Sequence, residues 1–288
     1  MNRNKKWLQM YGWLALVISA GFFTLQIGYL FVSERYNVEY VDDRLFYLIN
    51  IVCVLFLALA FLLLVSLTNK LKLIGGSMLF VFIAVHLFML VSGNQKVNNI
   101  TSISPDWKNV LSIKEQTEEG KAFYYREYYG ILARPMEKLP HQTDGNFKVE
   151  WLADDIAAVT YETKDDKVQQ FIGTYGDRGG GISYYYVGAE IQGRWQGDGV
   201  AVESGPEGIT VMENGESEHF AWEETQQFGT LAIVLMKNDE AIWTISLDEN
   251  FEVHPEASHP TVGTIKIYEA TMEENEPVTL EYSGAYEG

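Results

Sequence analysis

The chain has 288 residues and a formal net charge of −18, divided unevenly: residues 1–97 carry +4 and residues 98–288 carry −22. An acidic stretch of that size repels a phosphate backbone, which argues against nucleic acid as a partner. The single cysteine, Cys53, lies in an apolar run, so no disulfide braces the acidic part, and it must hold together through its core, as a bacterial surface domain does.

Three apolar runs open the chain, at residues 7–32, 45–67 and 73–91, and none contains Asp, Glu, Lys or Arg. Each matches the roughly 20 residues that a helix needs to span a hydrocarbon core. They are apolar on all sides, whereas a buried helix of a soluble protein keeps a polar stripe. Aromatic residues gather at the ends, with Trp7, Tyr11 and Trp13 at one and Tyr29, Phe46 and Tyr47 at the other. The expected anchor is a three-helix transmembrane domain over residues 1–97, inserted in the lipid bilayer of the cell membrane.

Orientation is set by Lys and Arg. Arg3, Lys5 and Lys6 precede the first run, Lys70 and Lys72 lie between the second and third, and the loop between the first and second carries four acids. Positive segments stay in the cytoplasm, so the N-terminus is expected inside and residues 98–288 outside. The first run is longer than a signal-peptide core and reads as an uncleaved signal anchor. Gln26, Asn50 and His86 interrupt the three runs at one expected depth, about 8–9 Å below the outer boundary. Polar side chains at such depth bond across helices, so this intramembrane polar cluster is expected to act as interhelical glue. The sharper alternative, a responsive His86, lacks a carboxylate to relay a proton.

Beyond the third run, residues 93–101 read as a short polar tether. Next comes a hairpin over residues 109–114 and 122–129, with a turn at 117–120, and residues 135–146 read as a loop because of Pro135, Pro140 and Gly145. Strands are then expected at 147–152, 156–163, 168–175, 183–190, 200–203, 209–212, 219–223, 230–236, 241–247, 264–271 and 278–282. Asp165-Asp166, Asn214-Gly215 and Asn238-Asp239 supply turns between them. No part of residues 98–288 holds a 3.6-residue period over three turns. The expected fold is therefore a helical membrane anchor joined to an acidic all-β extracytoplasmic domain.

A β-sandwich or an irregular multi-sheet arrangement is favoured for that domain. Trp107, Trp151 and Trp195 recur at a spacing of 44 residues, which keeps a small propeller-like repeat as the alternative.

The most unusual stretch is residues 173–186, Gly-Thr-Tyr-Gly-Asp-Arg-Gly-Gly-Gly-Ile-Ser-Tyr-Tyr-Tyr. Backbone amides around Gly179, Gly180 and Gly181 can form an anion nest, Arg178 beside Asp177 can grip a carboxylate or phosphate, and Tyr184 and Tyr186 can offer aromatic faces. The plainer reading is a long hairpin loop whose glycines take positive φ, with alternate tyrosines in the core. Tyr124, Tyr125, Tyr128 and Tyr129 form a second aromatic patch, half of it expected inside.

Chemistry beyond binding has little support. His254 and His259 flank Glu256 in a proline-bounded stretch that matches no standard zinc spacing, so no metal and no cofactor are expected. There is no G-x-S-x-G phrase, and the many acids make any carboxylate pair uninformative. The leading expectation is a non-enzymatic module that recognises a protein, peptide, cation or envelope component. The alternatives are an envelope hydrolase using acids beside Asp177 and Arg178, and an accessory subunit acting on a membrane partner through Gln26, Asn50 and His86.

Overall fold

A computed structural model of the chain describes residues 3–180, 184–253 and 261–286, with side chains from residue 6 onward. Three helices are long and apolar enough to cross a membrane: α1 (Arg3–Tyr36), α2 (Arg44–Leu64) and α3 (Asn69–Lys96). They anchor the chain in a membrane, and the described residues beyond α3 are all β apart from two short turns of helix. The chain divides into two compact units, one made of residues 1–101, 112–118 and 123–137, the other of residues 102–111, 119–122 and 138–288.

In the first unit α1 and α2 pack closely. A methyl group added at Gly12 would come within 2.7 Å of Leu64, so the helices meet where a side chain is absent. Ser19 Oγ donates to the Cys53 carbonyl at 2.9 Å, and Cys53 Sγ donates back to the Ser19 carbonyl at 3.4 Å. α3 buries no residue; its start is capped by Thr68, whose hydroxyl accepts from the Leu71 amide at 3.4 Å. All three helices outrun their apolar stretches at one end or both. The polar residues 93–96, expected in a tether, complete the last turn of α3, and the chain passes directly into a strand. That strand, β2 (Val97–Ile103), joins β1 (Glu39–Tyr40), β3 (Val110–Gln116), β4 (Lys121–Tyr129) and β5 (Leu132–Lys138) in a five-stranded sheet of order β1-β5-β4-β3-β2. The loop expected at 135–146 is thus largely strand. Pro135 is accommodated because β1 pairs only with Ala133 and Leu132, leaving that edge of β5 open beside the proline.

In the second unit β6 (Thr143–Ala153), β7 (Ile156–Thr163) and β8 (Val168–Thr174) form an antiparallel sheet. Of the strand expected at 183–190, the described residues 184–190 form none: a short turn of helix, α4 (Val187–Glu190), stands at their end. Nine strands then meander. They are β9 (Gly193–Gly197), β10 (Val200–Gly205), β11 (Gly208–Glu213), β12 (Glu216–Ala221), β13 (Thr225–Phe228), β14 (Ala232–Lys237), β15 (Glu240–Leu247), β16 (Thr264–Glu269) and β17 (Val278–Gly284). Each pairs antiparallel with its chain neighbour except β12 and β13, which are joined by a 3-10 turn at Trp222–Glu224, while β17 pairs back onto β9. The sheet therefore curls until it nearly closes. Closure needs Gly197, where an added methyl group would sit 2.1 Å from the Thr279 carbonyl oxygen.

The inward face holds Trp195, Val202, Ile209, Phe220, Leu235, Ile245, Leu247, Ile265 and Leu280, all fully buried. Trp195 donates its indole N–H to the Ile191 carbonyl at 2.8 Å, which satisfies the one polar group of the largest core side chain. A second apolar cluster joins Leu152, Ile156, Ala158 and Ile172 of the three-stranded sheet to Leu231, Ala232, Val234 and Tyr268. The turns at Asn214-Gly215 and Asn238-Asp239 have positive φ at both positions, as two-residue hairpins require. The three evenly spaced tryptophans are not equivalent: Trp107 is 80 % exposed at a turn, Trp151 lies partly buried on β6 and Trp195 fills the core. Sheets of five, nine and three strands stand where a propeller would have four-stranded blades.

Candidate functional site

Residues 175–180 and 184–187 of the second unit form a fastened platform. The Arg178 guanidinium is buried and makes a two-pronged ion pair with Asp155, at 2.6 Å to Oδ2 and 2.8 Å to Oδ1. It also donates to the Asp248 carbonyl at 2.8 Å and to the Leu247 carbonyl at 3.4 Å, which ties the loop to the end of β15. Burial would lower the pKa of this guanidinium, but the Asp155 carboxylate beside it prevails and holds it above its ordinary value. Two of the amides in this stretch are engaged within the loop. Arg178 N–H donates to the Tyr185 hydroxyl at 2.8 Å, and Gly179 N–H donates to Asp177 Oδ1 at 2.9 Å. Gly180 is exposed with φ +54°, and Gly181 lies outside the described residues.

The three tyrosines alternate. Tyr185 points into the barrel core, whereas Tyr184 and Tyr186 are 56 % and 66 % exposed and meet edge to face with ring centroids 5.3 Å apart. Gln227 holds them from below. Its amide nitrogen, with two hydrogens to give, lies within reach of the Gly229 carbonyl (2.8 Å), the Tyr185 carbonyl (3.1 Å) and the Tyr184 hydroxyl (3.1 Å), and its oxygen accepts from Val187 N–H at 3.1 Å. The platform therefore joins Asp177, Arg178, Gly179, Tyr184 and Tyr186 around two residues the sequence did not single out, Asp155 and Gln227. Asp155-Gly176 is the closest approach: a methyl group added at Gly176 would lie 2.2 Å from Asp155 Oδ2.

In the first unit the three intramembrane polar residues do not bond to one another. Gln26 is buried; it accepts from the Tyr40 hydroxyl at 2.7 Å and donates to the Phe46 carbonyl at 2.9 Å, linking α1, β1 and α2. His86 Nδ1 lies 3.0 Å from the Phe82 carbonyl of its own helix, with its ring stacked on Phe82 and edge-on to Tyr47. No hydrogen bond of the Asn50 side chain occurs among the described residues.

A charged cluster that no sequence motif marks lies at the α1–α2 loop. Lys114, nearly buried on β3, reaches Glu39 at 2.7 Å and Asp43 at 2.6 Å, with its ammonium 4.6 Å from the centre of the Tyr125 ring. Asp42 accepts from the Arg44 side chain, with Nε at 2.8 and 2.9 Å from its two oxygens. Burial alone would raise Asp42, but the Arg44 hydrogen bonds hold it below the usual carboxylate value; for Asp43 burial prevails over Lys114 and its carboxyl is raised. The Tyr40 hydroxyl is pushed up to about 12, by burial first and by Tyr29 second. The Asp43 amide donates to Asn99 Oδ1 at 3.2 Å and the Ser112 hydroxyl donates to the Val41 carbonyl at 2.6 Å, so the loop is stitched to β2 and β3. Only long-range pairing brings Lys114 to these acids, and no local pattern announces it.

His254, Glu256 and His259 lie outside the described residues. Among the described residues no three His, Cys, Asp or Glu side chains converge as a metal site. No protein family, curated protein or solved structure matches this chain.

Proposed function

We propose that the chain is a membrane-anchored recognition module that binds a protein, peptide or envelope component through Tyr184 and Tyr186. The observation that carries this reading is the contrast within three residues: two rings stand in solvent while Tyr185 between them is buried, and Gln227 and the Arg178–Asp155 pair hold the backbone beneath. Rigid exposed aromatic rings lose little entropy on contact and serve as binding anchors. The positive residues in the first turns of α1 and α3 support an N-terminus in the cytoplasm, with residues 98–288 outside the cell membrane. Binding is favoured over hydrolysis because the Asp155 carboxylate beneath the rings is engaged by Arg178 and does not stand free as an acid or base.

The test is a capture experiment with the full chain in detergent and an envelope extract, comparing wild type with the Tyr184→Ala, Tyr186→Ala double variant. Both rings are exposed, so the stability should stay within about 0.5 kcal/mol of wild type. Loss of one defined captured component at unchanged stability is the expected result. Equal capture by both proteins overturns the assignment.

A further inference from the structure

We infer that the tip of the β4–β5 hairpin is a membrane-inserting element, a contact with the lipid of the leaflet that holds the α1–α2 loop, made by strands rather than by a helix. The tip is apolar and open: Tyr129 is 76 % exposed, Ile131 39 % and Tyr128 43 %. Rings of this kind are normally covered in water and favoured at the bilayer interface.

The position of the tip identifies what covers it. β5 pairs with β1 through Leu132 and Tyr40, and Val41 N–H donates to the Ile131 carbonyl at 2.9 Å, so the hairpin is bound to the segment just after α1. Leu25, Gly28 and Val32 of α1 face Tyr129, Ile131 and Leu132 across a cleft of about 270 Å³. Leu25 lies about 10 Å inside the apolar run that ends at Val32, at 1.5 Å per residue. The hairpin tip thus shares a wall with a part of α1 that must lie in hydrocarbon if α1 spans the membrane, and its apolar surface continues the lipid-facing surface of that helix.

The neighbouring charges fit the same depth. The Arg134 guanidinium lies 4.0 Å from the centre of the Tyr128 ring, and Arg126 is exposed on β4 two residues before it. Long cationic side chains beside an aromatic tip reach headgroup phosphates while their stems stay in the apolar layer. The turn is stiff, because the Glu127 carboxylate accepts from the Gly130 amide at 2.9 Å and Gly130 takes φ +66°. A stiff tip keeps its rings at a fixed depth.

The experiment places one nitroxide label on the full chain in phospholipid vesicles. Cys53 is the only cysteine, so Cys53→Ser gives a clean background, with Tyr129→Cys as the probe and Ser217→Cys on exposed β12 as the aqueous control. Collision with dissolved oxygen should exceed collision with a water-soluble nickel chelate at residue 129, and the order should reverse at residue 217. Ile131→Cys reports the same depth if the Tyr129 variant does not fold. A nickel-accessible label at both tip positions overturns the inference. So does spin–spin broadening at residue 129 that vanishes when labelled chains are diluted with unlabelled ones, since a second copy would then cover the tip.

Discussion

Removing the Asp155 carboxylate should loosen the platform beneath Tyr184 and Tyr186 without touching either ring. In Asp155→Ala the Arg178 guanidinium stays in place, with side chains originally 7 % and 19 % exposed, and keeps backbone carbonyls, those of Asp248, Leu247 and Asp177, but no carboxylate as partners. Breaking one side of a buried ion pair costs about 3–5 kcal/mol, and the partial exposure of Asp155 sets the expected loss near the lower end, about 3 kcal/mol. For a unit of this size that corresponds to a fall of about 6–12 °C in the unfolding temperature. The assay is thermal unfolding of the full chain in detergent, monitored by near-ultraviolet circular dichroism of the buried tryptophan and tyrosines. Replacing both partners, as Asp155→Ala with Arg178→Met, removes the stranded charge and should recover part of the loss. A fall of less than about 2 °C in Asp155→Ala, or a double variant no better than the single one, would refute the reasoning, because the pair would then be a solvated contact of the kind worth about 0–1 kcal/mol.

Two further expectations concern the membrane unit. Gln26→Leu leaves the Tyr40 hydroxyl and the Phe46 carbonyl without their partner, and should cost about 1–2 kcal/mol, read as an earlier midpoint on titration of mixed micelles with dodecyl sulfate. A midpoint equal to wild type would mean that neither bond matters. Asp42 has its folded-state pKa held below the ordinary 3.8, so its contribution is fully present above that value and is lost as pH falls through the folded one. Asp42→Asn should therefore be less stable than wild type at neutral pH, and the difference should shrink as the solution is acidified below pH 3.8. A difference that stays constant from neutral to strongly acidic solution would contradict the sign.

The helical anchor was legible because spanning a membrane demands a long run without charge, and that demand acts on each residue separately. The strands from Ile156 to Thr163 and Val168 to Thr174 were legible for a similar reason, since alternation and turn residues are local. Features that stayed hidden depend on partners distant in sequence. Gly193–Gly197 carries two glycines and an arginine and no strand is expected there, yet it is the strand that joins the two halves of the nine-stranded sheet, and it is held by pairing to β10 and β17. Residues 135–138 read as loop because proline argues against a central strand, and only the very short neighbour β1 makes it tolerable in β5. At the platform the sequence drew attention to Arg178 and the alternating tyrosines. The partner acid, Asp155, is one of many acids in the chain with nothing local to set it apart, and Gln227 carries no pattern at all.

The meander also orders events during folding. Every pairing in the nine-stranded sheet but one joins strands adjacent along the chain, so these hairpins can zip at small cost in loop closure. The exception sets Trp195 opposite Tyr282, across the whole length of the meander, and it also seals the largest core side chain. That pairing carries the largest loop-closure cost in the sheet, and until it forms β9 and β17 each present an unpaired backbone edge to solvent. The same two strands that join the halves of the native sheet are thus where a half-folded chain would capture the matching edge of a second copy.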